Sequence, residues 1–281
     1  MDRWAELRDG SVLLEDAAVL VLNKPAGIAV VGERHDADLI TLARDAGEWL
    51  RPVHRIDKET SGAVLLAKEQ PVHAELTRQF SRRSVGKAYL AITRSCGLPE
   101  RGRIELPLSV GRKNRVRVAA PRGSITFDPA RSCWSVPPAE MRAGTRSYPA
   151  STTFAKVWED ERHTLLAVQP ATGRRHQIRV HLAWIGHPIA GDPLFDKERA
   201  AGTAEAAGAR MGLHSWWLAF DAPWVDGDRV RVEALPGDDF WAPLRGRLPS
   251  GAPTTVLERA RLGSSGHCPG AGQAMRPAGP P

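Results

Sequence analysis

Two stretches of the chain hold residue types that could do chemistry together: Arg51 to Lys68, RPVHRIDKETSGAVLLAK, and Gln169 to His187, QPATGRRHQIRVHLAWIGH. In the first, a His-Arg-Ile-Asp loop is followed by Thr60, Ser61 and Gly62 and then an apolar run, which puts one carboxylate, Asp57, at the mouth of a sheet. A carboxylate in that place can act as a nucleophile or stabilise developing charge. The same residues also fit a polar turn in which Asp57 and Thr60 bond the local backbone. A protein-kinase catalytic loop is excluded: the carboxylate comes one residue late, no Asn follows, and the chain has neither a Gly-rich phosphate loop nor a DFG triplet. In the second stretch His176 and His181 are five apart, not the i, i+4 pair of a metal-binding helix. With no cysteine pair and no acidic partner motif, a zinc site is not expected. Arg175 and Arg179 are four apart, so a helix would put them on one face. That face could be solvated, or it could address an anionic group.

These residues need elements to carry them. Residues 17–31, AAVLVLNKPAGIAVV, predict two short strands around an Asn-Lys-Pro-Ala-Gly turn. AVLLAK (63–68) predicts a buried strand. EQPVHAELTRQFSRRS predicts a helix with Val72, Leu76 and Phe80 on one stripe; Arg78, Arg82 and Arg83 near its end complement the helix dipole, and an RNA contact there is the other reading. KAYLAIT (87–93) predicts a strand with Lys87 and Tyr89 on the same face. RKNRVRV (112–118) alternates like a half-exposed strand, whereas 119–149, rich in Pro, Ser and Arg, predicts a long irregular loop or insertion. STTFAKVWE and TLLAVQP predict strands. RRHQIRVHLAWIG predicts a helix whose apolar stripe is Ile178, Leu182 and Ile185, with Gly186 at its stop. LHSWWLAF (213–220) and RVRVEAL (229–235) predict two more strands. The Gly/Pro-rich stretch 251–281 predicts a disordered tail.

Composition narrows the class. The 281 residues are 42% hydrophobic and 25% charged, the balance of a globular protein with enough chain for a core. Cys96, Cys133 and Cys268 are far apart with no CxxC pair, which argues against a disulfide scaffold. The run Ala17 to Leu22 falls far short of the ~20 apolar residues of a membrane span. The first residues lack the profile of a secretion signal, so a cytoplasmic, reducing location is the expectation. Thirty-nine basic residues against 32 acidic ones leave a net charge of +7; only 7 of the 39 are lysines, so 32 are arginines. A basic surface built on arginine suits a phosphate-bearing partner, because the guanidinium fork matches phosphate oxygens. A merely soluble basic enzyme is the other reading.

Taken in order over about residues 17–236, LVLNKPAG, HRIDKETSG, KAYLA, PATGRRHQIRVHL, GHPIAGDPLF and LHSWWLAFDAP resemble the RluA-type family of RNA pseudouridine synthases. The resemblance implies an α+β fold: a mixed, mainly antiparallel central sheet flanked by helices, with the active cleft across its middle. The catalytic domain would run from 17 to 250, with 119–149 as an insertion, after an extension at 1–16 and before the tail at 251–281. By the same resemblance Asp57 is the catalytic aspartate, Tyr89 stacks on the target uracil, and Arg179 pairs with the aspartate. Arg55 would fill the space left by the flipped base. Ile178 fits a contact with the tyrosine ring and equally the core stripe of its helix. For His54 and Lys87, packing and phosphate contact both stay open. Arg175 and His176, from the same block as Arg179, join them as substrate-binding candidates.

The implied reaction cuts the N1–C1′ bond of uridine, rotates the uracil and rejoins it through C5. Nothing is oxidised and no group is lost, so neither cofactor nor metal is expected. The expected partner is ribosomal or transfer RNA, with no membrane involved and the chain acting as a monomer. The sequence departs from the family pattern in two places. KPAG is followed by Ile-Ala-Val-Val-Gly where Val-His-Pro is frequent, and 119–149 is longer than usual. Only about 16 residues precede the first motif, so substrate choice is expected to rest on the catalytic domain. Two other readings compete. A non-catalytic RNA-binding or chaperone protein of the same fold would have no use for Asp57, Tyr89 and Arg179 together. A glycosylase or nucleoside hydrolase using Asp57 would release free uracil.

Overall fold

The computed structural model describes residues 3–32, 38–111, 115–144, 146–197, 210–225, 229–248 and Glu258. Helix α1 (Arg3–Asp9) buries Trp4 and leads into β1 (Val12–Glu15), which pairs antiparallel with β2 (Val19–Lys24). The residues ahead of Ala17 therefore join the sheet. The apolar run after β2 does not form the second strand that its composition predicts. Ile28, Ala29 and Val30 are buried instead beside helix α2 (Leu39–Asp45). The carbonyls of Ala29 and Val30 accept from the N–H groups of Leu39 and Ile40, and Asp38 accepts from Thr41 N–H. The first turn of a helix leaves such donors without partners, and the run supplies them.

Next come β3 (Arg51–Pro52) and β4 (Ser61–Ala67); all seven residues of β4 are buried. Helix α3 (Gln70–Arg82) follows, with Val72 and Leu76 buried and Phe80 partly so, and Arg83 closes it at φ 59°. Strand β5 (Gly86–Thr93) carries Lys87 and Tyr89. The remaining strands are β6 (Arg101–Glu105), β7 (Leu108–Val110), β8 (Val116–Val118), β9 (Thr126–Asp128), β10 (Cys133–Ser135), β11 (Ser147–Tyr148), β12 (Thr152–Glu159) and β13 (Thr164–Pro170). After helix α4 (Gln177–Trp184) come β14 (Leu213–Asp221) and β15 (Arg229–Glu233).

Twelve strands form one sheet, in the order β1-β2-β4-β14-β5-β13-β12-β6-β10-β9, with β15 on β14 and β3 on β4. Among the described residues only β14–β4 and β10–β6 pair in parallel, so the sheet is mixed and mainly antiparallel, as expected. A second sheet runs β11-β7-β8. The 119–149 stretch is irregular over most of its length but carries three short strands that its composition does not predict. It contributes β9 and β10 to the edge of the large sheet and β11 to the small one. These strands are two or three residues long, too short for a local alternation to announce them, and β10 and β11 also pair with the distant β6 and β7. Residues 112–114, and 251–281 apart from Glu258, lie outside the described residues. Among the described residues no helix is long and apolar enough to cross a membrane.

Helix α4 also departs from its expected form. It begins at Gln177, and every residue from Gln177 to Ala183 is buried, so it has no separate apolar stripe. Arg175 lies before the helix and is exposed, while Arg179 is 3% exposed, and the two do not share a face. A helix buried all round is set by tertiary packing rather than by its own amphipathicity.

Three histidines, His181 and His214 buried and His54 half-buried, tie the frame together as neutral rings. His54 Nε2 accepts from Leu65 N–H at 3.0 Å, and the ring stacks on Phe80 with centroids 4.7 Å apart. His181 Nε2 donates to the Leu106 carbonyl and Nδ1 accepts from the Thr152 hydroxyl, both at 2.9 Å. His214 Nε2 donates to the Ala234 carbonyl at 2.9 Å and Nδ1 accepts from the Ser61 hydroxyl at 2.6 Å. Burial lowers these rings from 6.5 to about 3, 4 and 4, respectively. The unfolded chain thus binds more protons than the folded one as pH drops below 6.5, and stability falls with it until the folded values near 4 and 3 are reached. Each ring costs on the order of 1–2 kcal/mol at pH ~5. Melting temperature is therefore expected to fall steadily from pH ~7 to ~5, above the range in which ordinary carboxylates titrate; a flat profile there would contradict the neutral-ring assignment.

Candidate active site

The loop bearing Asp57 is fastened at several points. Lys24, fully buried at the end of β2, donates to the carbonyls of Pro25 and Ile28, both at 2.7 Å, and of Lys58 at 3.2 Å. Gly27 N–H also donates to the Lys58 carbonyl, so the Lys-Pro-Ala-Gly turn grips the residue after Asp57. Burial pulls the Lys24 amine down to about 7, with Glu59 and Asp57 pulling it up and Arg210 down. Thr60 N–H donates to the Asp57 carbonyl, and β4 begins at once. Gly62 then does what no other residue can. Its φ is +107°, and a Cβ there would lie 2.2 Å from the Ser215 carbonyl oxygen. The close pairing of Gly62 with Ser215 draws β14 against β4, and Ser215 pairs in turn with Tyr89 on β5.

From the other side comes the turn that precedes α4. Gln177, 3% exposed, organises it: Oε1 accepts from the Thr172 hydroxyl at 2.5 Å and from Arg174 N–H at 3.1 Å, while Nε2 donates to the Ser151 carbonyl at 2.9 Å and to Thr152 Oγ1 at 3.0 Å. His176 takes a left-handed conformation, φ 54°, to end the turn and start the helix. This brings its Nε2 to 3.7 Å from Asp57 Oδ1. One turn into α4, Arg179 Nη1 donates to Asp57 Oδ2 at 2.7 Å. Its other edge is clasped by Asp192: Nε donates to Oδ2 at 2.7 Å and Nη2 to Oδ1 at 2.9 Å. Asp192 has no exposed surface, and its Oδ1 also accepts from Leu194 and Phe195 N–H. The Arg179 guanidinium sits 5.5 Å from the Phe195 ring centroid, and His176 meets that ring edge-on.

The electrostatics follow from these contacts. Burial pulls the Arg179 guanidinium down, but hydrogen bonding and charge from Asp192, with Asp57 adding to them, hold it above its ordinary value. Burial lowers His176 and the Asp57 charge opposes that, while Arg179 and Arg175 push it lower still. Burial pushes the Tyr89 phenol up to about 12; its hydrogen bond with Ser215 works against this and the Asp57 charge adds to it.

Asp57, Tyr89, His176 and Arg179 therefore come together. Ile178 lies in the core cluster against which Tyr89 packs. His54 is committed to Leu65 and Phe80, with the Lys87 charge acting on it. Lys87 is half-buried, its amine lowered by burial and by Arg83, and it lies beside Gly173, where a Cβ would meet its Nζ at 3.5 Å. Arg55 is exposed and makes no hydrogen bond or ion pair among the described residues. Sequence reasoning assigned no role to Asp192, Gln177 or Lys24. The signals were a Gly-Asp-Pro turn, in which Asp bonds N–H groups further along, and a lone lysine inside an apolar run. Among the described residues, no group of three or more His, Cys, Asp or Glu is placed to hold a metal ion.

Residues 18–184 match the family model described as RNA pseudouridylate synthase. The chain belongs to this family. Among its relatives, the ribosomal large subunit pseudouridine synthase D of Zymomonas mobilis is 33% identical over 244 residues, covering 81% of this chain and 69% of that protein. Ribosomal large subunit pseudouridine synthase C of Pasteurella multocida is 33% identical, and the match covers 79% of this chain but only 63% of that protein. The tRNA pseudouridine synthase C of the same organism is 31% identical, over 75% of this chain and 86% of the relative. The fold matches that of human RNA pseudouridylate synthase domain containing 4 with a TM-score of 0.66 at 23% identity, covering 92% of this chain and 96% of that one. The family match ends at Trp184, so Asp57, Tyr89 and Arg179 fall within it and Asp192 beyond it.

Asp192→Asn keeps an acceptor for the turn N–H groups but leaves the buried Arg179 without its bidentate partner. Breaking a buried pair in this way costs about 3–5 kcal/mol. Thermal or denaturant unfolding is expected to show a loss of that size, and a change within error would mean that Asp192 does not hold Arg179 in solution.

Proposed function

We propose that the chain isomerises specific uridines of ribosomal or transfer RNA to pseudouridine, with Asp57 as the catalytic carboxylate. The observation that carries this reading is the Asp57–Arg179 pair at 2.7 Å, locked from behind by Asp192 and lying beside an aromatic ring whose phenol stays protonated. Arg179 engages Oδ2, which leaves Oδ1 to act on the nucleoside. The N1–C1′ bond breaks, the uracil turns, the C5–C1′ bond forms, the C5 proton leaves, and N1 takes up a proton, so the product is an isomer of the substrate. Throughout, the base is detached from its sugar and has to be held. A flat ring such as Tyr89 holds it by stacking worth about 1–3 kcal/mol. Extruding the nucleotide costs a few kcal/mol, least from a loop or bulge, and in this reading Arg55, exposed two residues before Asp57, fills the gap. Action as a monomer in the cytoplasm belongs to the same proposal, on sequence grounds alone.

A binding protein without catalysis is the weaker reading. Binding RNA needs no carboxylate beside the phosphates, and the relatives named above are synthases that act on ribosomal RNA and tRNA.

The test is Asp57→Asn, which keeps size and removes charge. Tritium release from C5-labelled RNA, isolated from cells lacking the gene, should be robust for the wild type and at background for Asn, with folding and RNA binding retained. Glu should be nearly as poor, because misplacing a reacting group by about 1 Å can cost ~100-fold. Wild-type protein that releases no tritium would remove the enzyme reading, free uracil as product would mark a glycosylase, and an active Asn variant would move the catalytic group elsewhere.

A further inference from the structure

We propose that Arg146, Tyr148 and Arg174 form a second RNA subsite at the rim of the active site, which grips the phosphodiester backbone next to the target uridine. This rests on the RNA-modifying reading above and concerns residues to which that reading gives no part.

Tyr148 is held in place by the pairing of β11 with β7, in which it lies opposite Leu108. The Arg146 guanidinium carbon stands 5.1 Å from its ring centroid and that of Arg174 stands 5.2 Å away, both within the ~6 Å range of cation–π attraction. Both arginines are exposed, and neither pairs with a carboxylate among the described residues. Two like charges gathered on one aromatic ring repel each other. An anion from outside relieves that repulsion.

The cluster is also preorganised. Arg174 belongs to the turn before α4 and Tyr148 to the end of the 119–149 stretch, and Gln177 fastens these segments together by bonding Arg174 N–H and the Ser151 carbonyl. Guanidiniums already stacked lose little freedom on meeting a ligand, and their planar forks match phosphate oxygens. The position identifies the ligand. Arg174 is two residues from His176, whose Nε2 is 3.7 Å from Asp57 Oδ1. Two residues of chain reach no further than about 7 Å. The anion next to the reacting nucleoside is its own backbone phosphate, and a chain of net charge +7 draws it in.

The experiment uses full-length protein and a labelled single-stranded uridine-containing RNA, with binding read by anisotropy across a salt series. Asp57→Asn serves as the background, so that the RNA stays unmodified. Arg146→Ala with Arg174→Ala is expected to flatten the log–log salt slope by roughly 1.4, since each lost single-strand phosphate contact is worth about 0.7. In the Asp57 enzyme the same pair should raise KM for RNA while kcat at saturation falls much less. Lysine at both positions keeps the charge and should restore most of the slope, which separates a contact from a folding defect. An unchanged slope, or a fall in kcat with KM unmoved, overturns the subsite. If the wild type releases no tritium yet the slope still flattens, the subsite stands and only the enzymatic reading falls.

Discussion

The Arg179 guanidinium is buried with one edge against Asp192 and the other against Asp57, and the candidate site depends on that arrangement. Taking the guanidinium and the Asp192 carboxylate out of water is costly, and attraction offsets the cost only where geometry is close and the remaining donors and acceptors are satisfied. Here Asp192 gives both oxygens to Arg179 and takes two backbone N–H groups as well. One carboxylate thus neutralises the arginine fully, and Asp57 meets a cation that already has a partner. The three formal charges leave one net negative charge, at Asp57, the more exposed of the two carboxylates. Lysine could not serve both sides, because it lacks the rigid fork that fixes two directions at once.

That demand explains the less regular parts of the fold. To face Asp57, Arg179 has to sit on a helix driven into the core, which is why α4 is buried on every side. To start so deep, the helix needs an abrupt entry, which the left-handed His176 and the Gln177 hydrogen bonds provide. Asp57 approaches from the opposite direction on a loop held by Lys24, and the Gly62–Ser215 contact closes the sheet behind it. Three segments far apart in sequence thereby converge on one guanidinium.

How much of this was legible in the sequence differs by element. Strands β4, β13 and β14 could be read from apolar runs, because a central strand buried on both faces must be apolar almost throughout, while β5 and β12 are only partly buried and read from strand-like composition. The motif pair HRIDKETSG and TGRRHQIRVHL pointed to Asp57 and Arg179. Periodicity failed at α4, whose polar members Gln177, Arg179 and His181 are as buried as its apolar ones. It failed again after Lys24, where an apolar run caps a helix instead of pairing as a strand. The strands of 119–149 escaped because each is only two or three residues long, too short to show a period of two. Asp192 escaped because its part depends on a residue thirteen positions earlier, and only folding brings the two together.

Titration states round Asp57 carry the argument one step further. With its phenol pushed up to about 12, Tyr89 stays protonated at neutral pH and offers a surface rather than a base. Arg179 stays charged. His176 is neutral, but burial together with the charges of Arg179 and Arg175 makes it a poor proton acceptor. In the proposed reaction, the one proton that must leave the substrate is the C5 proton. Tyr89 and Arg179 keep their protons and His176 is a poor acceptor, so none of these three takes that proton. A site built this way changes little between resting and reacting states, which suits a reaction that only moves a base from one of its atoms to another on the same sugar.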